Sequence, residues 1–153
     1  MNIDIIGNGP SRILYEKARS TKRSSDHVVL GCNIPAYPVD ASVFADAGAV
    51  SQLRPEGGRQ GRMYGDFPII LGSRAERLLA NIKDVPGGQG TFVDRLRKDE
   101  LIKDVVHYDE IPGDQKFVSS GHLAFLYAAQ TYPGSDISMF GFDAVFTGNH
   151  IDS

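Results

Sequence analysis

The sequence predicts an α/β domain with a mainly parallel sheet and helices on both faces. Three observations lead there. Short strand-like runs alternate with helical stretches, the first run passes straight into a glycine turn and a helix, and the polar motifs cluster where strand-like runs end. In such sheets ligands gather at the carboxyl ends of the strands.

Taken in order, residues 2–6 read as a short buried strand, residues 7–11 as a turn, and residues 12–19 as a helix on the spacing of Ile13, Leu14, Lys17 and Ala18. A polar, basic loop over 19–25 leads to a second strand over 27–30, which ends at Gly31-Cys32-Asn33 before Pro35 and Pro38 break the chain. A third strand over 41–45 ends at Asp46 and is followed by a helix from Gly48 to about Leu53. Residues 54–66, rich in glycine and arginine, read as loop. A fourth strand over 67–71 precedes a helix over 74–82 capped by Ser73, and an amphipathic stretch over 92–102 reads as helix before a short strand over 105–108. The clearest helix covers 119–132. Ser119 or Ser120 caps it, and residues 123–129 are apolar almost all round, which predicts a buried helix. A last strand over 136–140 ends at Gly141-Phe142-Asp143.

At 153 residues the chain fits one domain, residues 1–153, with one core. An apolar share of 41% and a charged share of 23% sit near the globular average, so disorder is not expected. A net charge of −3 argues against a partner held through phosphate-backbone neutralisation, so no duplex nucleic acid is expected. Cys32 is the only cysteine, which rules out an intramolecular disulfide and suits a reducing compartment. Apolar runs stay far below the ~20 residues that span a bilayer, and the sequence begins without a signal-peptide pattern. These features predict a cytoplasmic protein with no membrane span. A short domain with an all-apolar helix is also a candidate homo-oligomer.

The motif with the clearest chemistry is Gly7-Asn8-Gly9-Pro10-Ser11. Its glycines let the backbone turn sharply and approach a ligand, and Pro10 suits the first turn of a helix. Free N–H groups and the helix dipole then face an anion, with the Asn8 amide and the Ser11 hydroxyl in support. The competing reading is a plain strand-to-helix turn. The dinucleotide fingerprint fails, because Arg12 stands at its third glycine and no acid ends the second strand. A Walker loop fails for want of Gly-Lys-Ser/Thr.

Further candidates stand at the other strand ends. Asn33 can offer an amide to phosphate or ribose, or can hold the proline-containing turn after it. Cys32 reads as a small buried hydrophobe rather than a nucleophile. Asp46 can bind a ribose hydroxyl, a metal or a substrate hydroxyl, or cap the next helix. Ser119-Ser120-Gly121 opens the apolar helix as a second anion site or an ordinary serine cap, with Lys116 before it. Gly141, Phe142 and Asp143 end the last strand, and Asp143 with His150 supplies a candidate base and acid.

These pieces, in this order, resemble the bacterial CMP-sialic-acid-dependent sialyltransferases of glycosyltransferase family 42 and the related motility-associated nonulosonate transferases. The matching stretches are Gly7-Asn8-Gly9-Pro10-Ser11, Cys32-Asn33, Ser119-Ser120-Gly121 with its helix, and residues 137–143 running on to His150. Residues 50–110 contribute nothing to the match. The resemblance implies a Rossmann-like nucleotide-sugar domain that needs no metal and no cofactor, with the CMP-linked sugar as substrate. It implies that Asn8 and Asn33 meet the phosphate and ribose, that Ser120 and Gly121 hold the nucleotide or the sugar carboxylate, and that residues 141–143 line the base or ribose side. Residues 1–153 offer no match to the family's lid segment or to the histidine that follows it. Val145 stands where a tyrosine is expected, and Lys116 where an arginine is. The expected activity is therefore glycosyl transfer from a CMP-linked donor, with His150 and Asp143 as the catalytic candidates. The alternative is a non-catalytic module that binds a nucleotide or sugar phosphate, and a nucleotide hydrolase on the same scaffold is a third reading.

Overall fold

A computed structural model describes residues 1–15, 26–35, 37–45, 49–50, 67–83, 90–107 and 119–142. Six strands run through it: β1 (Asn2–Ile6), β2 (His27–Cys32), β3 (Ala41–Phe44), β4 (Ile69–Gly72), β5 (Ile102–Val106) and β6 (Asp136–Phe140). All pair in parallel, in the order β5-β4-β3-β2-β1-β6. The expected α/β, Rossmann-like architecture is what the chain adopts.

The strand order explains which helix covers which face. From β1 to β5 the chain steps outward one strand at a time, and the right-handed crossover rule for parallel strands puts helices that join strands of such a series on one side. The return from β5 to β6 leaps back across the sheet, so its helix lies on the other side. Three α-helices follow this rule: α1 (Ser73–Leu79) and α2 (Phe92–Lys98) between β4 and β5, and α3 (Ser120–Thr131) before β6.

Alternation along the strands divides the core accordingly. Ile3, Ile5, Leu30, Cys32, Ala41, Val43 and Ile70 point to the α3 side, where Leu123, Ala124, Tyr127 and Ala128 meet them. On the other side Phe44, Ile69 and Leu71 pack with Ala75 and Leu79 of α1 and with Phe92, Val93 and Leu96 of α2. Nearby, Ile6 and Val29 pack on Tyr15, whose ring meets Tyr37 and Phe140 at centroid distances of 5.3 and 5.7 Å. Sheets buried on both faces need near-continuous apolar strands, which β3 and β4 show.

Several boundaries differ from expectation. The turn at Pro10–Arg12 is a 3-10 helix with Gly9 as its cap, and α-helical backbone follows at residues 13–15. β2 continues to Cys32 because Gly31 and Cys32 still pair with Ser42 and Val43 of β3. Asp40 stands in for a strand residue just before β3: its carboxylate accepts from Val29 N–H at 2.7 Å and its own N–H donates to Val29 O at 2.8 Å. Ser73 is the first residue of α1 rather than its cap. Gly72 takes that position in extended backbone, so β4 passes straight into the helix.

The single helix expected over 92–102 is α2 followed by β5. Glu100 adopts a left-handed φ of 56° and Leu101 N–H reaches back to Leu96 O at 3.0 Å, which ends the helix. Apolar spacing runs across this reversal, so periodicity does not show it. α3 is not enclosed on every side either: Phe125 on its outer face is 47% exposed. No helix among the described residues is long and apolar enough to cross a membrane. The helix expected from Gly48 to Leu53 is seen only at residues 49–50, and the loop over 54–66 lies outside the described residues.

Candidate functional site

Strand order reverses between β1 and β6, and at such a reversal ligands of open α/β sheets are usually held. Gly7 through Ser11 leave β1 there, and Gly141 and Phe142 leave β6 beside them. The two loops are joined by hydrogen bonds. Gly7 N–H donates to Phe140 O at 2.7 Å and Gly9 N–H to Gly141 O at 2.7 Å, while Gly141 N–H donates to Ser11 Oγ at 3.2 Å. The expectation of free glycine amides facing an anion is thus corrected at Gly7 and Gly9. Adjacency of β6 to β1 hands these donors to Phe140, the last residue of β6, and to Gly141 just after it, and Pro10 has none to give.

The glycines here serve close packing. A Cβ on Gly7 would stand 2.7 Å from Gly141 O, and a Cβ on Gly121 only 2.3 Å from Phe142 Cε1. Phe142 lies between the β1 turn and the start of α3, filling the space both glycines leave. It joins the core cluster on the α3 side.

The polar centre of the site is at the ends of β2 and β3. Asn33 has a left-handed φ of 59°, which Asn tolerates better than most residues. Its N–H donates to Val43 O at 2.9 Å, and its carbonyl accepts from Ser42 Oγ. Its side chain does not hold the following turn. Instead Asn33 Oδ1 accepts from Ser120 Oγ at 2.9 Å, and Ser120 Oγ in turn accepts from Ala45 N–H at 3.0 Å. Asn8 comes alongside from β1 and donates its Nδ2 to Cys32 O at 3.3 Å. Asn8, Asn33 and Ser120, predicted as one site, are therefore brought to the same strand ends.

Ser119 takes the ordinary capping role: its hydroxyl accepts from His122 N–H at 3.1 Å and its carbonyl from Leu123 N–H at 3.0 Å. Cys32 is buried, and desolvation pushes its thiol from 9.0 up to about 12, which leaves it protonated and inert at neutral pH. Asp46, Lys116, Asp143 and His150 lie outside the described residues. Two contributors escape the sequence reading, Ala45 through its backbone and Ser42 through its hydroxyl. Ser42 carries a visible signal, a hydroxyl inside the apolar run Ala41-Ser42-Val43-Phe44. Among the described residues no three of His, Cys, Asp and Glu gather closely enough to hold a metal ion. No protein-family model, no curated protein and no solved structure matches this chain.

Proposed function

We propose that this chain is a sialyltransferase-like glycosyltransferase domain that uses a CMP-linked sugar donor, without a metal, in the cytoplasm. The observation that supports it most is the meeting of Asn8, Asn33 and Ser120 at adjoining strand ends beside the β1/β6 reversal. All three belong to stretches that resemble the family. In this reading the nucleotide half of the donor lies over these residues. His150 or Asp143 deprotonates the acceptor hydroxyl, and the sugar transfers as CMP leaves.

A second reading, a nucleotide or sugar-phosphate binding module without catalysis, is favoured by one specific observation. The Gly7 and Gly9 amides are already bonded to Phe140 and Gly141, which reduces the preorganised donors available to a departing phosphate. One experiment separates the two. Purified protein is titrated with CMP and CMP-sialic acid by calorimetry, and CMP release is followed with and without acceptor sugars. Transfer abolished by His150→Ala or Asp143→Asn supports the enzyme, whereas binding without turnover supports the module. If cytidine nucleotides do not bind and no donor turns over, both readings are wrong for this ligand class.

A further inference from the structure

The two edges of the sheet differ in how they are protected. At β5 the edge carries Lys103 and Asp104 side by side, both exposed, and its pairing with β4 is interrupted by a register shift between Ile69 and Ile70. Charge and irregularity of this kind keep a sheet edge from pairing further. β6 has neither. Its register on β1 is regular from Asp136 to Phe140, its only charge is Asp136 at the first position, and Met139 is 44% exposed. The backbone bonds fix which groups of β6 point outward. Asp136 N–H donates to Met1 O at 3.0 Å and Phe140 O accepts from Gly7 N–H at 2.7 Å, so Asp136, Ser138 and Phe140 turn their backbone groups to β1. The N–H and carbonyl groups of Ile137 and Met139 therefore face away from the sheet, and among the described residues they have no partner.

We infer that β6 is the interface for a second copy of this chain, paired antiparallel about a two-fold axis at Ser138, so that the two six-stranded sheets become one. In this register Ile137 exchanges its backbone hydrogen bonds with the partner's Met139, and Met139 with the partner's Ile137. Sliding the strands by two residues either way brings in Ser135 or Gly141 instead. Those groups are taken: Ser135 N–H donates to Tyr132 O at 3.2 Å, and Gly141 is bonded to Ser11 and Gly9. Charge complementarity points to the same register. Asp136 comes opposite the partner's Phe140 rather than its own copy, and next to the partner's Gly141. Arg12 Cβ stands 3.1 Å from where a Cβ on Gly141 would lie, in the segment that carries Tyr15 onto Phe140. Asp136 shares a face with Phe140 by strand alternation, which puts each Asp136 within reach of the partner's Arg12. Neither residue has an ion pair among the described residues. On the opposite face Ile137, which packs toward α3, comes beside the partner's Met139. This pairing is independent of the ligand held at the strand ends, and the sites of the two copies open at opposite ends of the shared sheet.

Sedimentation of the full chain over a range of concentrations reads the association, and the mass should approach twice that of the chain as concentration rises. Met139→Pro removes an outward N–H, which an edge strand tolerates, and should leave a folded monomer with unchanged thermal unfolding. Charge variants leave the backbone intact and give a second reading. Asp136→Lys and Arg12→Glu should each weaken the dimer several-fold, and the two together should restore it. Ser138→Cys reads the register. Residues opposite each other at a non-hydrogen-bonded position of antiparallel strands have Cα atoms about 4.5 Å apart, within disulfide range. Mild oxidation should therefore convert Ser138→Cys to a covalent dimer. Ile137→Cys and Met139→Cys, each facing the other position rather than its own copy, should cross-link far more slowly, while buried Cys32 stays out of the reaction. A chain that stays monomeric at every concentration overturns the proposal and leaves the edge to a strand of a different protein. A dimer that persists undiminished in folded Met139→Pro or in Asp136→Lys overturns the β6 assignment. Faster cross-linking through position 137 or 139 than through 138 overturns the register.

Discussion

Gly7 and Gly141 approach so closely that each excludes a side chain from the other: a Cβ on Gly141 would lie 2.6 Å from Gly7 O, and one on Gly7 2.7 Å from Gly141 O. This contact holds the first and last strands together at the end where the order reverses. Gly141 also has a left-handed φ of 82°. Gly141→Ala therefore meets two penalties, about 1–2 kcal/mol for the backbone conformation and a further cost of about 1–3 kcal/mol for the overlap. Gly134 is a built-in control, with φ 77° and open space where its Cβ would stand. Gly134→Ala should cost only the first of these, about 1–2 kcal/mol. Urea unfolding of both variants checks the ordering, and equal losses would show that the Gly7 contact is easily relieved.

Gly121 and Phe142 are coupled in a way a double-mutant cycle can read. Ala in place of Gly within a helix ordinarily gains up to about 1 kcal/mol. Here the added Cβ falls 2.3 Å from the Phe142 ring, so the overlap should outweigh that gain and Gly121→Ala should destabilise. With Phe142→Ala in the background the obstacle is gone, and the same change should become neutral or stabilising. A coupling of about 1 kcal/mol or more is expected. Additive effects would mean that the ring swings aside at no cost.

The strand ends of the site are legible in the sequence, since Gly7, Asn33 and Gly141 mark three of them by residue type alone. The leap from β5 to β6 is not legible there. It depends on how α3 packs across β1, β2 and β3, and no local spacing encodes it. The Gly7 and Gly9 amides look free in the sequence for the same reason, since their partners arrive only with β6. Ser120 and Asn33 are 87 residues apart and meet only through that topology. Residue type flags each of them, yet the direction of the hydrogen bond between them is a tertiary fact.

The Cys32 thiol gives a prediction in the alkaline range. Burial raises it from 9.0 to about 12, so between these values the unfolded chain is ionised while the folded chain is not. The unfolded state then binds fewer protons, and stability must fall as pH rises through that window. Cys32→Ala and Cys32→Ser should both flatten this fall in denaturant titrations spanning about pH 8 to 11. Iodoacetamide at about pH 8 should modify the folded protein far more slowly than the protein in urea. Rapid labelling under native conditions would contradict the buried, protonated thiol.

At the start of α2, Thr91 and Asp94 form a reciprocal capping box: Asp94 N–H donates to Thr91 Oγ1 at 3.3 Å, and Thr91 N–H donates to Asp94 Oδ2 at 3.1 Å. The Thr91 backbone bond, followed by its side chain, holds the Asp94 carboxyl below the usual 3.8. A lowered carboxyl contributes stability that is complete above its ordinary range and is lost as pH falls through the folded value. The helix start should therefore loosen in acid, seen as faster amide exchange over residues 92–95. Thr91→Ala should cost about 1 kcal/mol and Asp94→Asn should abolish the acid dependence of that exchange. An unchanged pH profile in Asp94→Asn would assign the effect to another group.

Asp4 and His27 raise a different question, since they form a 2.6 Å pair between two interior strands, with Asp4 buried. Little water reaches the carboxylate there, so it depends on its partner. Removing the partner alone, as in His27→Val, should cost about 1–3 kcal/mol, because it leaves a buried acceptor unsatisfied. Replacing both, as in Asp4→Val with His27→Val, puts β-branched residues where parallel strands favour them and removes the desolvation penalty. The double variant should be more stable than His27→Val by at least about 1 kcal/mol and close to the wild type. Urea unfolding at about pH 7 reads both values. A double variant less stable than either single one would show that the pair contributes more than an apolar contact of the same size.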